Sequence, residues 1–309
     1  MIKALRRIFT HSIRTLIKRN PLAISISKRA LERVFYKGLP NEFREGLTFL
    51  LTGNTDDNTV KLADKIEGIR KSIAVQGNKK VPIWYSPKPD SSGNKVTPDL
   101  RPSPGKILEF TMERIARTGK NRRWGIFLYL LEKAYQSRTI FELGSCAGIS
   151  GCYLAAPDSV ETFITVEGST ELAKIAEGNI YKVSPRAKVI NSLFDDAIDQ
   201  QLPNLNSSLD FVFIDGHHEK IASIHYYERI IPYLNSRAII VFDDVSWSHD
   251  MREAWNELSS RTEFSHALDL GDIGVCVYDE YLSNEKQTYW DLRWIVGRKA
   301  IGEPNEWKE

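Results

Sequence analysis

The chain has 309 residues, of which 42% are hydrophobic and 27% are charged, and its formal net charge is +2. This composition predicts a folded, soluble protein with one large core, or one core and a smaller helical unit. No run of about eighteen apolar residues and no secretory signal pattern occurs, so we expect neither a membrane-spanning helix nor export. The three cysteines form no CxxC pair, which is typical of reduced thiols in a cytoplasmic protein without structural zinc.

The first 31 residues carry eight Lys or Arg and no acid, so the rest of the chain is net acidic. Within residues 1–19, apolar residues recur at helical spacing with basic residues between them, which predicts a basic amphipathic helix. It could bind an anionic membrane surface peripherally, pack on its own domain or on a second subunit of a homodimer, or serve as a mitochondrial transit peptide. No nucleic acid is expected as a partner, because no basic patch interleaved with aromatics follows.

Residues 1–76 are predicted to form an N-terminal helical region without a catalytic motif. Residues 77–105 contain six prolines and the aromatic pair Trp84-Tyr85, which predicts an irregular connection that is either a lid or a linker. Two helices, at 106–118 and 123–136, are expected to lead into the core.

The core, within residues 106–283, alternates short apolar strands with helices, and residues 284–309 are taken as a C-terminal tail. This order predicts an α/β fold of the Rossmann-like type, with a seven-stranded, mostly parallel sheet that ends in an antiparallel hairpin. Ligands of such sheets bind beyond the carboxyl ends of the strands. The seven strands are predicted at 139–143, 162–166, 188–190, 209–214, 238–242, 265–270 and 274–278.

The turn after the first strand combines glycines with hydroxyls. Gly144 and Gly148 let the backbone approach a ligand, while Ser145 and Ser150 can offer hydroxyl and amide groups to a carboxylate, and Glu142 can pair with a cation. This pattern favours a cofactor with an amino acid end, such as S-adenosylmethionine (SAM), over a nicotinamide dinucleotide, whose G-x-G-x-x-G spacing is absent. The alternative, purely structural interpretation is a turn whose glycines serve close packing only.

The next two strand ends add candidate contacts to the same cofactor. Glu167, followed by Gly168, lies where an acid accepts both ribose hydroxyls, although Glu167 could also cap the following helix. Leu193 and Phe194 can lie against an adenine ring, or they can be ordinary core.

Three carboxylates, of Asp215, Asp243 and Asp244, follow two later strands that we expect to be adjacent. Such an oxygen-rich corner suits a hard cation such as Mg²⁺, which could hold the oxygens of a substrate. Because Asp243 and Asp244 are consecutive, only a turn after Asp243 lets both reach the corner. His218 is the candidate general base, with His217 as the alternative.

Three motifs occur in this order: E-L-G-x-x-x-G-x-S at 142–150, I-D-G-x-H at 214–218 and F-D-D-x-x-W at 242–247. Together they resemble the class I SAM-dependent methyltransferases, in particular the small O-methyltransferases of the catechol and caffeoyl-CoA type. The resemblance implies cofactor contacts at Glu142, Gly144, Ser150 and Glu167 and a metal held by Asp215, Asp243 and Asp244. The chain departs from it at Asp244, where Asn is common, at His218, where Lys is common, and at Ser192, where Gly is usual.

The implied activity is transfer of a methyl group from SAM to a hydroxyl oxygen of a small-molecule acceptor, assisted by Mg²⁺. One alternative is a metal-independent O- or N-methyltransferase that acts on a sugar, lipid-linked or polyketide acceptor. The alternative of another class is a non-catalytic SAM-binding module tethered by its N-terminal helix.

Overall fold

The computed structural model describes residues 21–84, 107–205, 208–281 and 287–296. The basic segment 1–19, most of the Pro/Gly-rich connection and most of the C-terminal tail lie outside these ranges, so the predictions made for them stay predictions. Within the described residues, no helix combines the length and apolar character needed to cross a membrane.

The described part of the N-terminal region, from residue 21 onward, is mainly helical, as predicted for 21–76. Asp56 starts its longest helix by accepting a hydrogen bond from the Thr59 backbone amide at 2.9 Å, a standard N-cap. Gly53 ends the preceding helix in the left-handed conformation, with φ of 78°. The helices are α1 (Pro21–Tyr36), α2 (Arg44–Thr52) and α3 (Asp57–Ala74), with a 3₁₀ turn at Asn41–Phe43.

An antiparallel hairpin follows, which the sequence analysis missed. Strand β1 (Lys80–Trp84) lies in the segment predicted to be irregular, and it pairs with β2 (Ile107–Thr111), which lies in a predicted helix. Helix α4 (Met112–Thr118) begins only where the Thr111 side chain accepts a hydrogen bond from the Arg114 amide. The prediction failed because pairing between strands distant in sequence decides the conformation of such short segments.

Helix α5 (Arg122–Tyr135) starts at the N-cap Asn121 and packs against the first helix of the core. Gly125 permits this contact, since a Cβ there would lie 2.2 Å from the ring of Tyr153. The remaining helices are α6 (Ile149–Leu154), α7 (Thr170–Tyr181), α8 (Phe194–Gln201), α9 (Lys220–Ile230), α10 (His249–Leu258) and α11 (Arg293–Val296), with 3₁₀ turns at Leu202–Leu205 and Ile231–Tyr233.

The central sheet is mostly parallel, as predicted, but it has eight strands. The strands are β3 (Thr139–Leu143), β4 (Thr162–Glu167), β5 (Ala187–Asn191), β6 (Leu209–Ile214), β7 (Leu234–Phe242), β8 (Phe264–Asp269), β9 (Gly274–Asp279) and β10 (Thr288–Asp291). Their spatial order is β10-β8-β9-β7-β6-β3-β4-β5, and β9 is antiparallel to both of its neighbours.

The eighth strand comes from the segment predicted to be a tail. β10 pairs in parallel with β8, and Trp290 is buried with its indole N–H donating to His266 Nδ1 at 3.1 Å. Four residues are too few to display a strand pattern in the sequence, and the strand owes its place to this packing.

Helices cover both faces of the sheet. On one face, side chains such as Ile140, Phe211 and Val241 share a hydrophobic cluster with the N-terminal helices and with α5 to α7. On the other face, residues such as Phe141 and Val212 pack against α8, α9 and α10. The N-terminal helices therefore share the main core.

The chain changes direction between β3 and β6. It runs from β3 outward through β4 to β5, then returns to β6 on the other side of β3 and continues to β7. The carboxyl ends of β3, β4, β6 and β7 meet at this switch point, which is where open α/β sheets bind their ligands.

Candidate functional site

The turn after β3 brings the backbone close to the end of β6. Gly144 has φ of 103°, and a Cβ on it would lie 2.0 Å from the carbonyl oxygen of Asp215, so only glycine fits there. Gly148 has φ of 81° and lies against Ala176 of α7. The two glycines thus let the turn pack closely against the end of β6 and against α7, and Ser150 follows, buried, in the first turn of α6.

Glu142 lies fully buried beneath this turn. Its Oε2 accepts a hydrogen bond from Thr165 Oγ1 at 2.6 Å, and Ser145 Oγ bonds to the same Thr165 hydroxyl. The other oxygen, Oε1, is buried without a hydrogen-bond partner among the described residues. Burial raises the pKa of Glu142 to about 7. Glu142 therefore has one oxygen left to accept from a ligand, whereas the Ser145 side chain is used inside the protein.

Glu167 ends β4 and turns back to the first turn. Its Oε2 accepts from the Cys146 amide at 2.8 Å and its Oε1 from the Ser169 amide at 2.9 Å. The side chain of Ser169, and not that of Glu167, caps α7 through the Leu172 amide. Burial raises the pKa of Glu167 to about 7. The carboxylate is thus held rigidly at the strand end, and each oxygen keeps a further lone pair.

Asn191, at the end of β5, supports the same turn. Its Nδ2 donates to the carbonyl oxygens of Glu167 and Gly168, at 2.9 and 3.1 Å. Ser169 Oγ also donates to the carbonyl of Pro82 at 2.6 Å, which fastens the β1–β2 hairpin to this edge. Neither contact was predicted, since both depend on strands that meet only in the folded protein.

Phe194 is half-buried, and its ring lies where a Cβ on Gly216 would be only 2.5 Å away. It packs edge-on against Tyr226, with ring centroids 5.2 Å apart, and Leu193, also half-buried, precedes it. The ring of Phe194 thus lies between the core and the end of β6, and the adenine contact expected of Leu193 and Phe194 stays a prediction.

The three predicted acids converge. The Asp243 amide donates to the carbonyl of Ile214 at 3.0 Å, so the ends of β6 and β7 are adjacent. Asp244 has a left-handed backbone with φ of 51°, and this turn brings its side chain back toward that of Asp215. Burial raises the pKa of Asp215. The turn required by the sequence argument is therefore present.

The two consecutive histidines point to different surroundings. His217 Nδ1 bonds to the Tyr226 hydroxyl at 2.6 Å, and burial lowers the pKa of His217 to about 4. His218 faces the acids, with Nε2 4.0 Å from Asp215 Oδ1 and Nδ1 3.9 Å from Asp244 Oδ2. The base predicted at His218 thus lies in the corner, and the alternative at His217 lies outside it.

Lys120, which the sequence analysis did not identify, lies in the middle of the acidic corner. It follows α4, and its ammonium contacts Asp243 Oδ2 and lies 3.9 Å from Asp215 Oδ2. Its side chain is only 13% exposed and that of Asp243 only 1%. A single lysine in a turn between helices forms no motif, so only the fold reveals it.

Among the residues that the structure describes, no group of three or more His, Cys, Asp or Glu side chains has an arrangement suited to a metal ion. Of the predicted ligands, Asp215 and Asp243 instead face the Lys120 ammonium, while Asp244 faces His218. A divalent cation bound to the first two would lie within a few ångströms of the Lys120 charge and be repelled by it. The corner as folded therefore fits an ammonium better than Mg²⁺.

Comparison with known proteins agrees with the predicted resemblance. Residues 141–245 match a protein family described as a methyltransferase domain. A catechol O-methyltransferase of Mycobacterium tuberculosis is 30% identical over 135 residues, which cover 42% of this chain and 59% of that protein. The chain thus spans less than two thirds of this relative.

Similar solved structures include an O-methyltransferase from Bacillus cereus in complex with SAH. It is 20% identical, the match covers 70% of this chain and 90% of the Bacillus cereus chain, and the TM-score is 0.49. Another is the O-methyltransferase TomG from Streptomyces achromogenes in complex with SAM. It is 19% identical, the match covers 52% of this chain and 81% of TomG, and the TM-score is 0.44. The family match includes the first two motifs on which the resemblance rests and the third as far as Val245, so residues 141–245 of this chain are similar to a methyltransferase domain.

Proposed function

We propose that the protein transfers a methyl group from SAM to a hydroxyl oxygen of a small-molecule acceptor. The observation that carries this proposal is the meeting of three adjacent parallel strand ends, which bring Glu142, Glu167 and Asp215 around the Gly144 turn. The methyltransferase family match over 141–245 and the similarity to a catechol O-methyltransferase support it.

The residues present fit SAM on their own chemistry. Glu142 has a buried oxygen without a partner and Glu167 keeps lone pairs on both oxygens, so the first can accept from an ammonium and the second from ribose hydroxyls. Several buried carboxyls also suit a ligand that carries positive charge.

When bound, SAM would supply an electrophilic methyl group on its sulfonium sulfur. As the new oxygen–methyl bond forms and the sulfur–methyl bond breaks, the sulfur becomes a neutral thioether. The chain itself has to orient the acceptor and remove its hydroxyl proton. We assign proton removal to His218, whose ring lies between Asp215 and Asp244 and beside Trp247, at 6.4 Å between ring centroids. An imidazole is suited to removing this proton. Orientation of the acceptor and the methyl group accounts for most of the remaining rate enhancement.

Metal assistance was part of the prediction from sequence, but no step of this proposal runs through a metal. The Lys120 ammonium at Asp215 and Asp243 favours the metal-independent alternative. The identity of the acceptor is left open by these residues, and catechol is a reasonable first probe because of the mycobacterial relative.

The test has two parts. Calorimetry with SAM and S-adenosylhomocysteine should give a saturable binding heat for both. Transfer of a radiolabelled methyl group to a panel of hydroxyl acceptors that includes catechol should then persist in excess EDTA. Absence of SAM binding would overturn the proposal, and binding without transfer to any acceptor would favour a non-catalytic module. Activity that EDTA abolishes and Mg²⁺ restores would reinstate metal assistance.

A further inference from the structure

We propose that Lys120 is the resident cation of the acidic corner: its ammonium occupies the place of a divalent metal between Asp215 and Asp243 and keeps such a metal out. The inference deepens the proposed function, on which its catalytic part rests. The exclusion of metal is a property of the folded chain and needs neither cofactor nor acceptor.

The first support is the geometry of the ion pairs. The Lys120 ammonium contacts Asp243, whose side chain is almost fully buried, and it lies 3.9 Å from Asp215. Two carboxylates at the ends of neighbouring strands repel each other in a poorly solvated corner, so a cation between them stabilises both. Lysine supplies one positive charge as part of the chain, without a binding equilibrium.

The second support is the way in which the N-terminal region holds Lys120 in place. The guanidinium of Arg70, on α3, donates to the carbonyls of Ala116 at 2.8 Å, Gly119 at 3.1 Å and Lys120 itself. Glu67 fixes Arg70 from the same helix at 3.0 Å. Arg70 therefore clamps the turn between α4 and α5, which makes it a positioning residue for the Lys120 ammonium.

The third support is the hydrogen-bonding capacity that remains. An ammonium has three N–H groups, and even with the two aspartates in contact one is left for a further oxygen. Asp243 Oδ1 is buried without a hydrogen-bond partner among the described residues, so it can accept from a hydroxyl. In the proposed reaction, Lys120 would donate to the acceptor oxygen and stabilise the negative charge that develops as the proton moves to His218.

The test measures Mn²⁺ binding from the loss of the free-ion EPR signal at pH 8, in protein without cofactor. Wild type should show no Mn²⁺ binding at the corner. Lys120→Ala should gain a site whose affinity for Mn²⁺ is at least about 100-fold higher than any weak binding by wild type. Adding Asp243→Asn to Lys120→Ala should abolish the new site. Lys80→Ala, which removes an exposed lysine that pairs with Glu109, is the matched control and should behave as wild type.

The clamp is tested in the same way. Arg70→Met should free the turn and give partial Mn²⁺ binding. Arg122→Met, which removes an exposed ion pair between α5 and Asp64 of α3, should not. Lys120→Arg keeps the charge and should still exclude the metal, which guards against a folding defect in the alanine variant.

Equal Mn²⁺ binding by wild type and Lys120→Ala, whether strong or absent, would overturn the inference. SAM calorimetry on the same variants separates this failure from that of the proposed function. If SAM fails to bind to wild type, the methyltransferase proposal falls while the metal-exclusion result stands. If SAM binds and the Mn²⁺ results are equal, only the role of Lys120 falls.

Discussion

The two halves of the cleft are built in different ways. On the β3–β4 side, Glu142 and Glu167 are held by hydroxyls and amides from their own and neighbouring strand ends, all within about 25 residues of one another in the sequence. On the β6–β7 side, Asp215 and Asp243 are balanced by Lys120, which is 123 residues from Asp243. The proposed cofactor half is thus a local motif, whereas the proposed acceptor half is completed by a distant element.

This contrast predicts that substitutions in the two halves separate binding from chemistry. Residues of the first half should control SAM affinity, and residues of the second should control turnover with SAM affinity unchanged.

His218→Ala should lower the rate of methyl transfer by roughly 100-fold or more, because general-base catalysis is typically of that size. The Kd for SAM should stay within about threefold of wild type, since His218 lies in the acidic corner and not beside Glu142 or Glu167. Initial rates with a radiolabelled methyl donor and calorimetry measure the two quantities. His249→Ala, which removes an exposed histidine at the start of α10, is the control. A loss of SAM affinity equal to the loss of rate would contradict the separation.

Glu167→Ala should raise the Kd for SAM by about 100-fold. Two hydrogen bonds to a charged acceptor are lost, and each contributes about 1.5–3 kcal/mol. Calorimetry of this variant beside Glu171→Ala, an exposed glutamate four positions later, isolates the effect. Unchanged affinity in Glu167→Ala would remove the main support for a nucleoside at this strand end.

The pH dependence of SAM binding should follow the same carboxylate. Because the pKa of Glu167 is about 7, Glu167 is mostly ionised at pH 8 and mostly protonated at pH 6. A protonated carboxyl accepts fewer ribose hydroxyls, so affinity should fall by about tenfold between pH 8 and pH 6. Titrations in matched ionic strength would show this slope, and the Glu167→Ala variant should keep only the part that comes from Glu142, whose pKa is also about 7.

A buried acid outside the cleft should affect stability and leave SAM binding intact. Glu132, on α5, has both oxygens buried without a hydrogen-bond partner among the described residues, and burial raises its pKa to about 8. The folded state holds the Glu132 proton more tightly than the unfolded chain does. The contribution of Glu132 to the free energy of unfolding is therefore greatest below pH 4.5 and falls as the pH rises toward 8.

Glu132→Gln should therefore raise the Tm more at pH 9 than at pH 6, by about 5 °C. Thermal scans at the two pH values measure the difference, with the exposed Glu177→Gln as control. An equal Tm gain at both pH values would mean that the charge of Glu132 is compensated within the fold.

Much of this architecture was predictable because the relevant signals are local. The apolar strands, the Gly144 turn and the acids that follow the strands each occupy a few consecutive residues, and parallel order puts strand ends at one edge. Even the convergence of Asp243 and Asp244 was foreseen as conditional on one turn, and the left-handed backbone of Asp244 supplies it.

The missed elements share one property, which is that distant contacts create them. The β1–β2 hairpin spans a long connection, and β10 becomes a strand only by pairing with β8. Lys120 belongs to no motif, and its position depends on Arg70 of a helix that sequence analysis left without a role.

Short-range periodicity and the residues next to strand ends were therefore enough to predict the α/β class, the glycine-rich turn and the set of acids. Which cation those acids face and which histidine joins them became visible in the folded protein alone. The charge balance of a buried corner depends on every element packed around it, and the α4–α5 turn, held by Arg70 of α3, reaches this corner from more than 90 residues away.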